Sequence, residues 1–380
     1  MKIPNCEPEI AGNELKYLTE CIDSRWLSPV GPFVSRFEEE FARLHNVETA
    51  AAVSSGTAAI HLGLIALGVK AGDMVICPVM TFSGSVNPII YCGALPIFID
   101  VDENTLNIDP VRLSEFLAAH TKFNGEVLLH AATGRRISAM IVVHLYGNPA
   151  DMDALMKSAA EYKLPVLEDA AESLGARYGG RRVGTIGDVG CFSFNGNKLI
   201  TTGGGGMIIS RDSEKTKLCK HLSTQARSDP FEYFHDAIGY NYRLSNLCAA
   251  VGVAQMEHLD EFIQKKRRNA ALYKKLLRDD LWQVIEEPAN CLGTYWMVLC
   301  RLRDGGGSIL ERIRQWSKDG LGVRPVWYPL NMLEIYKDAP YLGDGRCRRL
   351  YNTTFCLPSS VGLTGEQITY AARTLNAYED

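Results

Sequence analysis

Between residues 49 and 171 the chain alternates short, continuous apolar runs with segments of helical character, and this alternation restricts the fold more than any other feature. "TAAAVSS" (49–55), "DMVICP" (73–78), "LPIFID" (95–100), "ISAMIVVHLYG" (137–147) and "LPVLEDAA" (164–171) read as strands. "GTAAIHLGLIALG" (56–68), "SGSVNPIIYCG" (83–93) and "MDALMKSAAEYK" (152–163) read as the helices between them. A strand that is apolar on both sides is buried on both faces, which is the pattern of a parallel sheet covered by helices. Right-handed crossovers then give an open α/β sheet. An amphipathic helix precedes this unit at 34–46, with Phe37, Phe41 and Leu44 on one face. The stretch 120–136 lengthens one crossover and reads as a surface excursion.

After residue 250 the pattern changes. A long helix is expected over 254–279, and its basic run (Lys265, Lys266, Arg267, Arg268) reads as a solvated face because no aromatic residues interleave it. "TYWMVLCRL", a helix over 308–320 and the Pro-rich "VRPVWYP" follow, as in a small α+β unit. The expected division is a large domain, 1–250, and a smaller one, 251–380.

Forty basic against forty-four acidic residues give a net charge of −4, so no basic footprint suggests nucleic acid or an anionic membrane. The N-terminus has no apolar signal region, and the longest apolar run is shorter than the roughly 20 residues that span a bilayer. The expectation is a cytoplasmic protein. Eleven cysteines without a C-x-x-C pair read as reduced thiols; Cys77, Cys92, Cys191 and Cys356 fall in apolar patterns.

Ligands of open α/β sheets lie beyond the carboxyl ends of the strands, so the residues just after each strand carry the chemistry. Ser54, Ser55, Gly56 and Thr57 stand where a strand turns into a helix; they read either as an ordinary N-cap or as a cradle whose N–H groups hold a phosphate. Asp169 ends an apolar strand; it is either an N-cap or a carboxylate for a cationic ring nitrogen. Lys198 lies between an aromatic strand end and four glycines, Gly203 to Gly206, in "CFSFNGNKLITTGGGGM" (191–207). It reads as a surface lysine or as a desolvated nucleophile able to form a Schiff base. Ser193 offers a hydroxyl to a phosphate. A phosphate cradle, an acid for a ring nitrogen and a lysine together point to pyridoxal phosphate.

At these residues the sequence resembles the DegT/DnrJ/EryC1/StrS family of sugar aminotransferases. The resemblance rests on "SSGTAAIHLGL", "VMTFSGSVNPIIYCGALPIFIDVD", "VVHLYGNPADMD", "EDAAESLGA", "GDVGCFSFNGNKLITTGGGGM" and "GYNYRLSNLCAAVGVAQM", and it runs over nearly the whole chain. It implies the aspartate-aminotransferase fold (pyridoxal phosphate fold type I), with a large domain around a mostly parallel sheet and a smaller C-terminal α+β domain. It implies that Lys198 carries the cofactor, Asp169 pairs with its ring nitrogen, Gly56, Thr57 and Ser193 bind its phosphate, Phe82 stacks on its ring, and Glu172 stands near its phenolic oxygen, where the family often has Gln or His. Asn241 matches a residue that reaches the phosphate of a neighbouring subunit, which implies a homodimer with shared sites; in isolation it reads as a turn Asn. Arg243 would assist there or make an ordinary ion pair. Trp26, Ser28, Trp327 and Tyr328 fall where relatives approach a nucleotide-sugar, though such aromatics also serve as core.

Within the family, "SFNGNK" and "TTGGGGM" resemble the LegC-type branch, which aminates C4 of UDP-linked 4-keto-6-deoxy-N-acetylglucosamine with L-glutamate as donor. Relatives that act on GDP-4-keto-6-deoxymannose typically have Phe at the position of Asn195 and Glu at that of Gly205, and remain the nearest alternative. Dehydratase relatives carry His in place of the lysine, which Lys198 argues against. A non-catalytic sensor on the same scaffold is the alternative of another class, and such proteins usually add a DNA-binding segment not seen here.

Overall fold

The computed structural model describes residues 1–229, 231–303 and 308–377. Its centre is an eight-stranded sheet made of β1 (Ala50–Val53), β2 (Met74–Pro78), β3 (Leu95–Ile99), β4 (Ile137–Val143), β5 (Val166–Asp169), β6 (Val189–Ser193), β7 (Gly206–Ile209) and β8 (Tyr341–Leu342). The spatial order is β1-β7-β6-β5-β4-β2-β3-β8. Neighbours pair in parallel from β6 through β8, while β7 runs antiparallel to both β6 and β1. β1 and β6 are therefore parallel to each other, and the carboxyl ends of β1, β6, β5 and β4 share one edge. Every residue of β1, β2, β4, β5 and β7 is buried, as their unbroken apolar runs require.

The helix Pro32–His45 begins with Pro in its first turn and ends at Asn46 in the left-handed region (φ 53°), a usual way to stop a helix. Its buried Phe37 and Phe41 pack on Phe192 and Phe194, with ring centroids 4.9–5.8 Å apart. Each buried Phe contributes about 1.5–3 kcal/mol, so the segment leading to Lys198 leaves β6 from a firm anchor. The excursion at 120–136 is a short hairpin (Thr121–Phe123 with Leu128–His130) whose Leu128 and His130 are buried.

The expected helix over 254–279 is two helices, Asn246–Met256 and Leu259–Leu276. The second does not present its basic run wholly to solvent. Phe262, Ile263, Lys266, Asn269, Ala270 and Tyr273 form its buried stripe, so the helical period carries Lys266 inside, where it is 1% exposed. Arg267 pairs bidentately with Glu287 at 2.6 and 2.7 Å. A four-stranded antiparallel sheet (Trp282–Val284, Leu299–Leu302, Thr354–Cys356, Arg324–Pro325) forms a second layer system. Between its strands the chain returns to place β8 beside β3, so the segment after residue 250 serves both sheets. All eleven cysteines are free. Among the described residues no helix is long and apolar enough to cross a membrane.

Candidate active site

At the shared carboxyl edge lies a cavity of about 390 Å³, and the glycine run explains how the chain closes it. β6 ends at Ser193 and the chain re-enters the sheet at Gly206, which faces Ser193 on one side and Val53 on the other. A Cβ at Gly206 would sit 2.5 Å from the Ser55 carbonyl oxygen, and one at Gly56 would sit 2.7 Å from Cβ of Ser193. Backbone of β6, β7 and the helix Gly56–Ala66 thus meets at distances only glycine allows. The four glycines of the run are not equivalent. Gly203 needs its positive φ (78°), Gly205 and Gly206 are crowded, and a Cβ at Gly204 would meet nothing within 4 Å.

The helix Gly56–Ala66 points its N-terminus into the cavity. Ser55 caps it by accepting the N–H of Ala58 at 3.0 Å, and its first turn holds no acidic residue. The N–H groups of Gly56 and Thr57 find no acceptor among the described residues, leaving an open anion site at the positive end of the helix dipole. Ser193 completes that corner.

Opposite it, Asp169 ends β5 and is 3% exposed. It accepts from Oγ of Ser85 at 2.6 Å and from the N–H of Ala171 at 3.1 Å. Burial pushes its carboxyl above the ordinary range, while Ser85, Ala171 and Lys198 pull it back; a cation brought beside it gains from that unmet charge. Glu172, also raised by burial and drawn down chiefly by Lys198, accepts from the Tyr146 N–H at 2.6 Å and from Nε1 of Trp327 at 3.2 Å. Its Oε1 lies 3.7 Å from Nζ of Lys198. The ammonium also sits 3.9 Å from the ring centroid of Trp296, in cation–π range. Phe82 is 53% exposed at the mouth, with its ring 5.1 Å from that of Trp327.

One cavity thus brings together Gly56, Thr57, Phe82, Asp169, Glu172, Ser193, Lys198 and Trp327. It leaves Trp26, Ser28, Asn241, Arg243 and Tyr328 outside its lining. Trp26 and Ser28 are exposed, and their carbonyls accept from Asn246 at 2.8 and 3.0 Å. Tyr328 packs against Tyr351 with ring centroids 4.9 Å apart. Asn241 is exposed and its backbone bridges to Thr224. Arg243 pairs by backbone with Val53, beside the helix N-terminus. Sequence reasoning missed Trp296, Tyr146, Ser85 and Thr81. Thr81 and Ser85 follow the carboxyl end of β2, so the strand-end rule extended to β2 would have found them. Trp296 arrives from about a hundred residues away with no local signal.

An α/β chain with a lysine, two buried carboxylates and an anion-ready helix end at one sheet edge has the build of a pyridoxal phosphate fold type I enzyme. The comparisons agree. The DegT/DnrJ/EryC1/StrS aminotransferase family matches over residues 8–376, and the chain belongs to that family. It is 39% identical to the GDP-perosamine synthase of Escherichia coli O157:H7 over 377 residues (99% of this chain, 98% of that one). It is 37% identical to the GDP-perosamine synthase of Vibrio cholerae over 388 residues (99% of each). Among solved structures, the aminotransferase TlmJ of Streptoalloteichus hindustanus superposes with a TM-score of 0.88 at 28% identity, covering 99% of this chain and 98% of that one. The fold is that of the pyridoxal phosphate aminotransferases, and pyridoxal phosphate is the cofactor. The residues present fit it: an anion site without a competing acid, and a buried carboxylate whose charge lacks a full partner.

Proposed function

We propose that this protein moves the amino group of L-glutamate to C4 of a nucleotide-linked 4-keto-6-deoxy sugar. The observation that carries this reading is the cavity itself, where Lys198 faces Glu172 and Asp169 across from the open helix end. Gly56, Thr57 and Ser193 would hold the phosphate, Asp169 the ring nitrogen, and Phe82 would cover the ring. When bound, pyridoxal phosphate supplies an electron sink for the pair left behind when a proton leaves the carbon bearing nitrogen. Lys198 Nζ takes that proton from the amino acid and returns it one position away, as base and then acid. One water supplies the oxygen as glutamate leaves as 2-oxoglutarate and its nitrogen stays behind; the keto sugar then takes up that nitrogen by the reverse path, losing its ketone oxygen as water, with ping-pong kinetics. Glu172, pinned by Tyr146 and Trp327, holds its carboxylate toward Lys198 Nζ between steps. Trp296 covers that nitrogen on one side.

Two sugars compete. Asn195 and Gly205, which stand where GDP-sugar relatives typically have Phe and Glu, support UDP-linked 4-keto-6-deoxy-N-acetylglucosamine, the first choice. The identity to GDP-perosamine synthases supports the GDP-linked 4-keto-6-deoxymannose. Arg243, whose backbone pairs with Val53 beside the anion corner, and Asn241, two residues before it and exposed, suit a homodimer in which each copy completes the other's site. Exposed Trp26 and Ser28 suit a nucleotide arriving across that boundary.

The test follows the visible absorption of the loaded protein. L-glutamate should bleach it, and the UDP sugar should restore it while the GDP sugar does not. Restoration by the GDP sugar alone keeps the reaction and reverses the sugar. Lys198→Ala should fold and transfer nothing; turnover in that variant would overturn the assignment.

A further inference from the structure

The buried lysine of the helix Leu259–Leu276 has no part in the chemistry above. Nζ of Lys266 donates to the carbonyls of Trp296, at 2.9 Å, and Ser359, and lies 3.4 Å from Sγ of Cys6. No carboxylate pairs with it among the described residues, and burial lowers its proton affinity. Cys6, in the N-terminal segment, is only half-buried, and its thiol hydrogen is directed to the Asn197 carbonyl at 3.3 Å. The three donors of the ammonium go to the two carbonyls and to Sγ of Cys6. Loss of the proton aimed at the sulfur keeps both carbonyl bonds and turns a lone pair toward that sulfur, whose own hydrogen points to Asn197. The pair is thus built as a nucleophile beside an oxidisable, solvent-reachable thiol.

We propose that Cys6 and Lys266 form a reversible oxidative cross-link. Hydrogen peroxide oxidises the Cys6 thiol to sulfenic acid: an S–O bond forms, the O–O bond breaks and one water leaves. Lys266 Nζ then attacks that sulfur. An S–N bond forms, the S–O bond breaks, and the departing hydroxide takes the amine proton as a second water. The product is a sulfenamide, known where a sulfenic acid meets a backbone nitrogen, and excess thiol reduces it to the starting pair. The cross-link reaches the active site through two contacts. It removes the thiol donor from Asn197, the residue before Lys198, whose carbonyl also accepts from Nε1 of Trp296 at 2.6 Å. It also leaves a single N–H on Lys266 for two buried carbonyls, one of them that of Trp296, the ring that faces Lys198. An unsatisfied buried carbonyl is costly, so the oxidised enzyme should lose activity and regain it on reduction.

The experiment treats the loaded enzyme with hydrogen peroxide, digests it after glutamate and reads masses. The expected product joins the fragment ending at Glu9, since the bond before Pro8 is not cut, to the one beginning at Phe262, lighter than their sum by two hydrogen atoms, with fragmentation placing the bond on Lys266. It should vanish on reduction and be absent from Cys6→Ser. Cys6 found only as sulfinic acid with Lys266 unmodified, or joined to Cys356 as a disulfide, would overturn the proposal.

Discussion

A methyl group at Gly56 tests the central geometric claim, that the helix N-terminus and the end of β6 approach as closely as backbone allows. In Gly56→Ala the new Cβ would lie 2.7 Å from Cβ of Ser193 and 3.1 Å from its Oγ. Saturated carbons prefer about 3.5–4.0 Å, so roughly 1 Å of overlap must be relieved. The Ser193 Cβ cannot swing away, because its backbone is paired to Gly206. Gly206 in turn lies close under the Ser55 carbonyl, which the same helix end carries and which leaves no room there even for a Cβ. Overpacking of this kind costs about 1–3 kcal/mol. Against it stands a gain of about 0.4–1 kcal/mol from the stiffer unfolded chain. The net expectation is a loss of roughly 1–2 kcal/mol in the cofactor-free protein, read as a lower urea midpoint at unchanged slope. The helix end must move off the sheet edge, carrying the Gly56 and Thr57 N–H groups with it. Pyridoxal phosphate affinity should fall about tenfold, which is about 1.4 kcal/mol, and the stabilisation by saturating cofactor should shrink correspondingly. Gly204→Ala is the control: its Cβ meets nothing within 4 Å, so its stability should stay within about 0.5 kcal/mol of the parent. If Gly56→Ala matches the parent in midpoint and affinity, the close approach is wrong and the anion corner lies elsewhere.

Two further substitutions separate the carboxylates. Glu168, wholly buried, would be raised by burial, but His144 and the N–H groups of Gly187 and Gly184 outweigh that and hold it below its ordinary 4.5. Its stabilisation is therefore present above that pH and lost on acidification through the lower folded value. Glu168→Gln should cost about 3–5 kcal/mol at neutral pH, with urea midpoints of parent and variant converging as the pH falls. Asp169 has the opposite sign. Its raised carboxyl makes the cofactor-free fold lose stability as the pH rises through the window above 3.8, so Asp169→Asn should equal or exceed the parent's neutral-pH stability while lowering turnover by roughly 10²-fold or more. A variant weaker in both respects would mean that Asp169 serves the fold and not the ligand.

The fold class was legible because β1 through β5 are continuous apolar runs punctuated by helices, and that pattern has few solutions. Lys198, Asp169 and the Gly56–Thr57 corner were legible for the same reason: each follows directly on a strand, and the strands share an edge. Legibility ended where position depends on distant chain. The basic run at 265–268 looked solvated because no aromatic residues interleave it. The spacing of Phe262, Lys266, Asn269 and Tyr273 nevertheless carries one cation to the core, a signal present in the sequence and readable only if charge is set aside. Trp26 and Ser28 are exposed and Tyr328 packs on Tyr351, and no local pattern in the sequence separates such positions from residues that line the cavity.

The residues around Trp296 show what no local rule supplies. Tyr146 (φ 55°) and Tyr295 (φ 50°) both occupy the left-handed region, at roughly 1–2 kcal/mol each for residues with a Cβ. They lie back to back. Gly147 follows Tyr146 with φ 99°, and a Cβ there would strike the Trp296 and Tyr295 nitrogens at 2.6 and 2.8 Å. The two strained turns are joined by hydrogen bonds from Thr294 to Gly147 and from Met297 to Tyr146, at 2.9 and 3.3 Å. Strain of this sort persists only where surroundings over-determine it, and here they do. The Tyr146 ring lies between Trp296 and Trp327, at centroid distances of 6.1 and 5.7 Å and near-parallel planes. Its N–H holds Glu172, and its hydroxyl oxygen accepts the Trp327 N–H at 2.6 Å. Relaxing either turn would release Glu172 or Trp296, the two groups that face the Lys198 ammonium. The backbone distortion is thus the means by which segments about 150 residues apart deliver a carboxylate and an aromatic face to one nitrogen.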